Sequence, residues 1–170
     1  MIKQAIIPLA GLGTRLLPLT SVFAKELLPI NGKPGIEYIL DECIEAGIKE
    51  VVFIISKKKE MIKKYFYNDS FYKKILKKKK DLRIKEEYKK ILKYKKMIKF
   101  VYQNKPDGTG AAVLKCKKYL KDKHFLMLLA DDLIVKKNCS KEMISLHKKT
   151  KGSVIATRKV ESRTVSRWGI

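Results

Sequence analysis

Histidine is nearly missing from this chain of 170 residues: only His124 and His147 occur, and neither has a serine, cysteine or carboxylate at a spacing that argues for a triad. Cysteine is scarce too. Cys43, Cys116 and Cys139 are odd in number, widely spaced and without a Cys-x-x-Cys pair, so neither a disulfide framework nor a zinc site is indicated. They are expected to be reduced thiols of a cytoplasmic protein. Long apolar runs are absent as well, and the N-terminal stretch meets polar residues by Thr14, too early for a signal peptide or a membrane span. No membrane partner is expected, and no internal repeat is visible. Arginine supplies only 5 of the 40 basic residues, although it is the side chain that reads bases and grips phosphate through two parallel bonds.

Lysine is what the chain has instead. The formal charge of +23 invites a polyanion, yet residues 57–99 alone hold 19 basic and 5 acidic residues, a net of +14. Basicity is therefore concentrated in one quarter of the sequence. Solvated lysine-rich helices and a polyanion-binding surface are the two readings of that quarter. The shortage of arginine favours the first, and no specific nucleic-acid partner is expected. Hydrophobic residues at 45% can furnish the core of one domain.

The apolar pattern alternates between strand and helix, which predicts an α/β fold with a mainly parallel sheet. Lys3–Leu9 reads as a short buried strand feeding a glycine loop. After Pro34, Ile36, Ile39, Leu40, Cys43 and Ile44 recur at helical spacing until Gly47. Glu50–Ile55 is a second strand, followed by a helix over Lys59–Phe66. From Phe71 to Lys96 the pattern predicts one or two amphipathic helices, and residues 57–97 are expected to form a Lys-rich helical insertion. The tyrosines and phenylalanine among those lysines, Tyr65, Tyr67, Phe71 and Tyr72, belong to a core stripe more readily than to a base-stacking platform. Strands at Ile98–Tyr102, His124–Leu129 and Ser153–Arg158, with helices over Ala111–Tyr119 and Ser140–Lys149 (the latter capped by Ser140), complete the expectation.

Three constellations carry chemistry. Ala10-Gly11-Leu12-Gly13-Thr14-Arg15 directly follows the first strand, and Ala24-Lys25-Glu26-Leu27-Leu28-Pro29 lies a few residues on. Glycines let backbone N–H groups approach an anion, while Arg15 and Lys25 add positive charge where phosphate oxygens would sit. Two glycines alone mark only a tight turn; the two cations downstream turn the reading toward a triphosphate cradle. Leu16 replaces the third glycine of the dinucleotide fingerprint, and no Gly-Lys-Ser/Thr follows to make a P-loop. Gln103 with Gly108-Thr109-Gly110 forms the second group, an amide able to donate and accept at a base edge beside glycines that admit a flat ring; a plain strand-to-helix turn is the other reading. Leu128-Leu129-Ala130-Asp131-Asp132 is the third, a strand ending in paired carboxylates whose hard oxygens suit Mg2+, or else a carboxylate capping the next turn.

Ala-Gly-x-Gly-Thr-Arg-Leu-x-Pro followed by Lys-Glu-x-x-Pro resembles the signature of the sugar nucleotidyltransferases, and the Ala-Gly opening with Lys25-Glu26 resembles their bacterial UTP–glucose-1-phosphate uridylyltransferase branch. The thymidylyltransferase branch usually opens Gly-Gly and carries Lys-Gln. The resemblance covers residues 1–170 in outline and implies a three-layer, Rossmann-like nucleotidyltransferase fold. It implies nucleotide binding by Ala10, Gly11, Gly13, Thr14, Arg15, Lys25, Gln103, Gly108 and Gly110, with Arg15 and Lys25 as the catalytic cations. Asp131 would take magnesium, and Asp132 and Gly169 would face the sugar. Ala24 stands where the family commonly has proline, and Thr109 and Ala111 depart from the family's Gly-Leu-Gly-His-Ala, so the histidine's contribution is lost. Val165-Ser166-Arg167-Trp168-Gly169-Ile170 resembles the family's Val-Ser-Lys-Tyr-Gly-Ile, and the downstream Glu-Lys-Pro segment and further metal-binding aspartate have no counterpart in these residues. The implied reaction makes UDP-glucose and pyrophosphate from UTP and glucose 1-phosphate, with nucleotide binding but negligible turnover expected of this truncated nucleotide-binding part alone. A catalytically dead remnant, a thymidylyltransferase and a polyanion-binding protein are the alternatives, and a homo-oligomer is an open expectation.

Overall fold

The structure, a computed structural model, describes residues 2–105, 107–134, 136–157 and 159–161. Its centre is a four-stranded, all-parallel sheet of β1 (Gln4–Pro8), β4 (Glu50–Ile55), β5 (Ile98–Tyr102) and β6 (Leu126–Met127), in the order β5-β4-β1-β6. A two-residue antiparallel pair, β2 (Pro29–Ile30) with β3 (Lys33–Pro34), sits apart from it. The helices are α1 (Gly35–Glu45), α2 (Glu60–Tyr67), α3 (Asp69–Lys78), α4 (Leu82–Met97), α5 (Gly108–Cys116) and α6 (Cys139–Thr150).

Strands buried on both faces read as unbroken apolar runs because each face needs its own cover. In β1 and β4, Ala5, Ile7, Val51, Phe53 and Ile55 point to a core completed by Ile36, Ile39, Ile62, Phe66, Ile91, Tyr94 and Ile144 of α1, α2, α4 and α6. The alternate residues Ile6, Val52 and Ile54 point the other way, to Ala112 and Cys116 of α5. Helices, sheet and helix thus make the three layers that the period of two demands. Among the described residues no helix is long and apolar enough to cross a membrane.

The Lys-rich quarter is the connection from β4 to β5. Ile62, Phe66, Ile91, Tyr94 and Met97 are buried in it while most lysines face outward, and α3 buries nothing. Acidic groups on α1 tie it down: Lys90 Nζ donates to Glu37 at 2.6 Å, Tyr94 Oη to Asp41 at 2.6 Å, and Tyr65 also donates to Glu37. Of its interleaved aromatics, Tyr72 stacks on Tyr88, whereas Phe71 is exposed.

Several boundaries differ from the sequence pattern. The strand expected over His124–Leu129 is paired only at Leu126–Met127. No strand forms over 153–157, where Ile155 is exposed and so has no face to bury by pairing; Arg158 lies outside the described residues. Asn138, not Ser140, caps α6, its side chain accepting from Lys141 N at 2.8 Å, while the Ser140 hydroxyl is taken by Glu42 at 2.6 Å. Helix α5 starts at Gly108, earlier than the pattern suggests, and ends at Cys116 in a 3-10 turn over Lys117–Tyr119.

Phe53 is fully buried on β4, with its ring against Phe66 and Phe100 at centroid distances of 6.0 and 5.7 Å. Phe53→Ala is expected to cost about 3–5 kcal/mol of stability through lost transfer and a central cavity. Urea unfolding checks it, and a loss under about 1 kcal/mol would mean that this layer is not the core.

Candidate functional site

Parallel strands put all their carboxyl ends on one edge, and a ligand crevice opens where the strand order reverses. Here β1 to β4 to β5 steps outward, and the chain then returns to β6 on the other side of β1. The reversal lies between β1 and β6. The glycine loop leaves β1 at this point, Asp131 follows β6, and Gln103 follows β5 on the same edge.

Leu9 N–H still bonds Ile54 O at 2.7 Å, after which the chain leaves the sheet. A Cβ on Gly11 would meet nothing within 4 Å, so open space faces the backbone there. Gly13 adopts φ +71°, and a Cβ on it would sit 3.1 Å from Thr20 Cγ2 and 3.5 Å from Lys25 Cδ. Glycine is required at 13 by both conformation and space. The Thr20 hydroxyl closes the loop by donating to Gly13 O at 2.8 Å. Thr14, Arg15 and Leu16 form a 3-10 turn with Arg15 exposed, and Ala10 is half-buried behind them.

Lys25, Glu26 and Leu27 form another 3-10 turn. Lys25 Nζ reaches Asp131 Oδ2 at 2.5 Å, bridging 106 residues of sequence and joining the first and third constellations. Burial pushes the Asp131 carboxyl up, but the hydrogen bond and charge of Lys25, a backbone hydrogen bond and the field of Arg15 outweigh it, and the group is held below its ordinary value. Asp132 is exposed and makes no ion pair among the described residues. Gln103 is buried; its N–H bonds Ile55 O at 2.9 Å and its Nε2 donates to Gly108 O at 3.2 Å. Gly108 (φ +83°) opens α5, and Gly108 and Gly110 both face open space. The second constellation therefore presents a helix N-terminus, with its free N–H groups, to the same edge. Gly169 lies outside the described residues.

Sequence inspection missed two groupings. Buried Lys59 donates to both oxygens of buried Glu26, at 2.7 and 2.8 Å, directly behind Lys25. His124 and His147 meet at the opposite, amino edge of the sheet, their rings 4.7 Å apart beside a cavity of about 390 Å³. His147 and Lys148, which line that cavity, belong to the last turn of α6, where positive charge complements the helix end. No local spacing marks either grouping.

A metal-bearing site needs hard oxygens. Asp131 supplies them at the crevice, with Asp132 next to it, and no group of three or more His, Cys, Asp or Glu side chains converges among the described residues. A magnesium ion that arrives on phosphate oxygens needs only one or two protein carboxylates, so the residues present fit that mode.

Residues 4–170 match the family described as Nucleotidyl transferase. UTP–glucose-1-phosphate uridylyltransferase 2 of Staphylococcus saprophyticus is 36% identical over 170 residues, covering 99% of this chain and 58% of that protein. The enzymes of that name from Bacillus subtilis and Mycoplasma pneumoniae are 34% and 37% identical with the same coverage. This chain thus spans under two thirds of the length of these relatives. Among solved structures, UTP-bound UGPase from Acinetobacter baumannii superposes with a TM-score of 0.81 at 32% identity, over 89% of this chain and 54% of that one. A UDP-glucose pyrophosphorylase complexed with UDP-glucose gives 0.78 at 31% identity, over 98% and 61%.

Lys25 stabilises ionised Asp131, and its removal leaves only a backbone hydrogen bond and the field of Arg15 to oppose burial. The titration midpoint of Asp131 should then rise in Lys25→Met toward the ordinary value of about 3.9. In the parent chain, the pair's contribution to stability is full above that ordinary value and fades as pH falls through the lowered one. Carboxyl carbon NMR reads the midpoint; no rise in the variant would show that the pair does not form in solution.

Proposed function

Because the chain belongs to the nucleotidyl transferase family, we propose that its residues form the nucleotide-binding part of a UTP–glucose-1-phosphate uridylyltransferase. The observation that carries the proposal is the meeting of Lys25 with Asp131 beside the Gly11–Arg15 loop, at the point where the strand order reverses. The relatives' shared name supplies the nucleotide and the sugar.

The reaction is an in-line displacement. An oxygen of the glucose 1-phosphate group forms a bond to the α-phosphorus of UTP as the bond from that phosphorus to the pyrophosphate oxygen breaks. No covalent enzyme intermediate is needed, so the protein's work is charge and position. Backbone N–H groups around Gly11 and Gly13, with Thr14 and Ala10 shaping the loop, cradle the triphosphate. Arg15 and Lys25 offset negative charge that builds on the α-phosphate and the departing pyrophosphate. Gln103 meets the uracil edge, with Gly108 and Gly110 leaving room for the ring. The sugar side is assigned to Asp132 and, from resemblance in sequence alone, to Gly169. Magnesium, held by Asp131 and phosphate oxygens, would add charge neutralisation when bound. The substrates are soluble phosphorylated metabolites, and a cytoplasmic location goes with this reading.

Gly110→Val fills the open space beside the ring position, and Gln103→Ala removes the amide. Together they should weaken UTP binding in the presence of Mg2+ by roughly tenfold or more, as loss of one or two base contacts implies. Isothermal titration measures it. Unchanged affinity would remove Gln103 and Gly110 from the site, while tighter binding of dTTP than of UTP would move the assignment to the thymidylyltransferase branch.

A further inference from the structure

We propose that the buried Glu26–Lys59 pair is the positioning device for Lys25, making Lys59 a determinant of nucleotide affinity although it contacts no nucleotide. This rests on the nucleotide reading of Lys25 given above and extends it to a residue that the reading leaves unused.

The turn that carries Lys25 holds itself weakly. Its internal hydrogen bonds are Leu27 N to Ala24 O at 2.9 Å and Leu28 N to Lys25 O at 3.2 Å, and a three-residue turn of this kind has no preferred orientation against a sheet. Orientation comes from outside. Glu26 turns inward, and its two oxygens accept from the single ammonium of Lys59. Ala24, buried on the other side of Lys25, sends its N–H to Met61 Sδ at 3.0 Å. Lys59 and Met61 both belong to the start of the Lys-rich connection, which leaves β4 at Ile55. The residues before and after Lys25 are thus fixed to the carboxyl end of β4, and Lys25 itself is free to reach across β1 to Asp131 beyond β6.

The electrostatics agree with the geometry. Burial pushes the Lys59 ammonium down, Glu26 pushes it back up, and smaller effects come from Lys25 and from Asp131. These four groups form one alternating cluster whose inner pair is buried and whose outer pair faces the crevice. A buried lysine is uncommon unless paired, and most lysines in residues 57–99 face solvent. Lys59 is therefore not one more member of a solvated charge run.

A double-mutant cycle on UTP affinity with Mg2+ separates positioning from mere structural support. Lys25→Met and Lys59→Met should each weaken binding on the order of tenfold, while adding Lys59→Met to Lys25→Met should change it less than about twofold. Lys59→Arg, which keeps the ion pair, should restore most of the affinity. Additive losses would overturn the proposal, because Lys59 would then act on binding without Lys25. A Lys25→Met protein that binds UTP as the parent does would overturn the nucleotide reading of Lys25 and the positioning role together, a distinct result. If Lys59→Met alone does not fold, the Glu26→Gln, Lys59→Met variant leaves no unpaired buried charge and enters the same cycle, judged by the same non-additivity.

Discussion

The site depends on β1 being a central strand in a parallel sheet. Its residues bond β4 on one side and β6 on the other, and both its faces are covered, so it has no freedom to slide or tilt. At the amino end, Gln4 is locked from three directions: its Nε2 donates to Glu50 and to Tyr119 O, and its Oε1 accepts from Lys121 N–H. At the carboxyl end the ladder stops and the chain must turn away. Because neighbours run parallel, β5 and β6 stop at the same edge, and three segments far apart in sequence arrive there together. The crevice between β1 and β6 is a consequence of strand polarity and order; the glycines and charges occupy a place that the sheet has already made.

The lysine surplus looks different once the layers are known. A connection between adjacent parallel strands has to cover one face of the sheet, and residues 57–97 do so with a narrow apolar stripe. Everything off that stripe faces water, where lysine is well tolerated and its stem adds cover. Glu37 and Asp41 on α1 then receive Lys90, Tyr65 and Tyr94, so the few acidic groups stand where two helices need a fixed relation. Charge here is mostly a property of the outer helical layer, with one lysine diverted inward.

What the sequence made legible follows from range. Strand Glu50–Ile55 was readable to the residue because Val51, Val52, Phe53, Ile54 and Ile55 are an unbroken buried run ended by Ser56. The edge strand Ile98–Tyr102 was readable because its apolar residues stand between a lysine-rich helix and polar Gln103-Asn104, with only Lys99 exposed within it. The glycine loop and Lys25-Glu26 were readable because their spacing is local. Strand β6 was harder: its apolar run extends through Leu129, but only Leu126 and Met127 stand in register with β1, and Leu128 adds a single bond to Ile6 O. Residues 153–157 include β-branched Val154, Ile155 and Thr157 but leave Ile155 exposed, and strand propensity without burial is a weak signal. The contact of Lys25 with Asp131 spans 106 residues and that of Lys59 with Glu26 spans 33, and no one-dimensional pattern separates Lys59 from Lys57 or Lys58.

A buried ion pair is a poor way to gain stability, since taking two charges out of water offsets most of their attraction, and apolar residues of equal volume often hold a fold as well or better. What an apolar contact lacks is direction. A leucine in place of Glu26 would fill the same space but leave only the Ala24–Met61 hydrogen bond and the packing of Leu27 to resist a roll of the short turn about its axis, and Lys25 extends from that turn by a side chain of four methylenes. Two hydrogen bonds from one ammonium to both oxygens of one carboxylate remove the roll, because rotating the turn would strand a charge in the interior. The same inner pair also leaves the outer Lys25 and Asp131 electrically balanced against each other, with the Lys59 charge already opposed by Glu26. The crevice therefore presents its cation and its carboxylate to an incoming anion or metal with the charge of the buried lysine behind them largely, though not wholly, offset by Glu26.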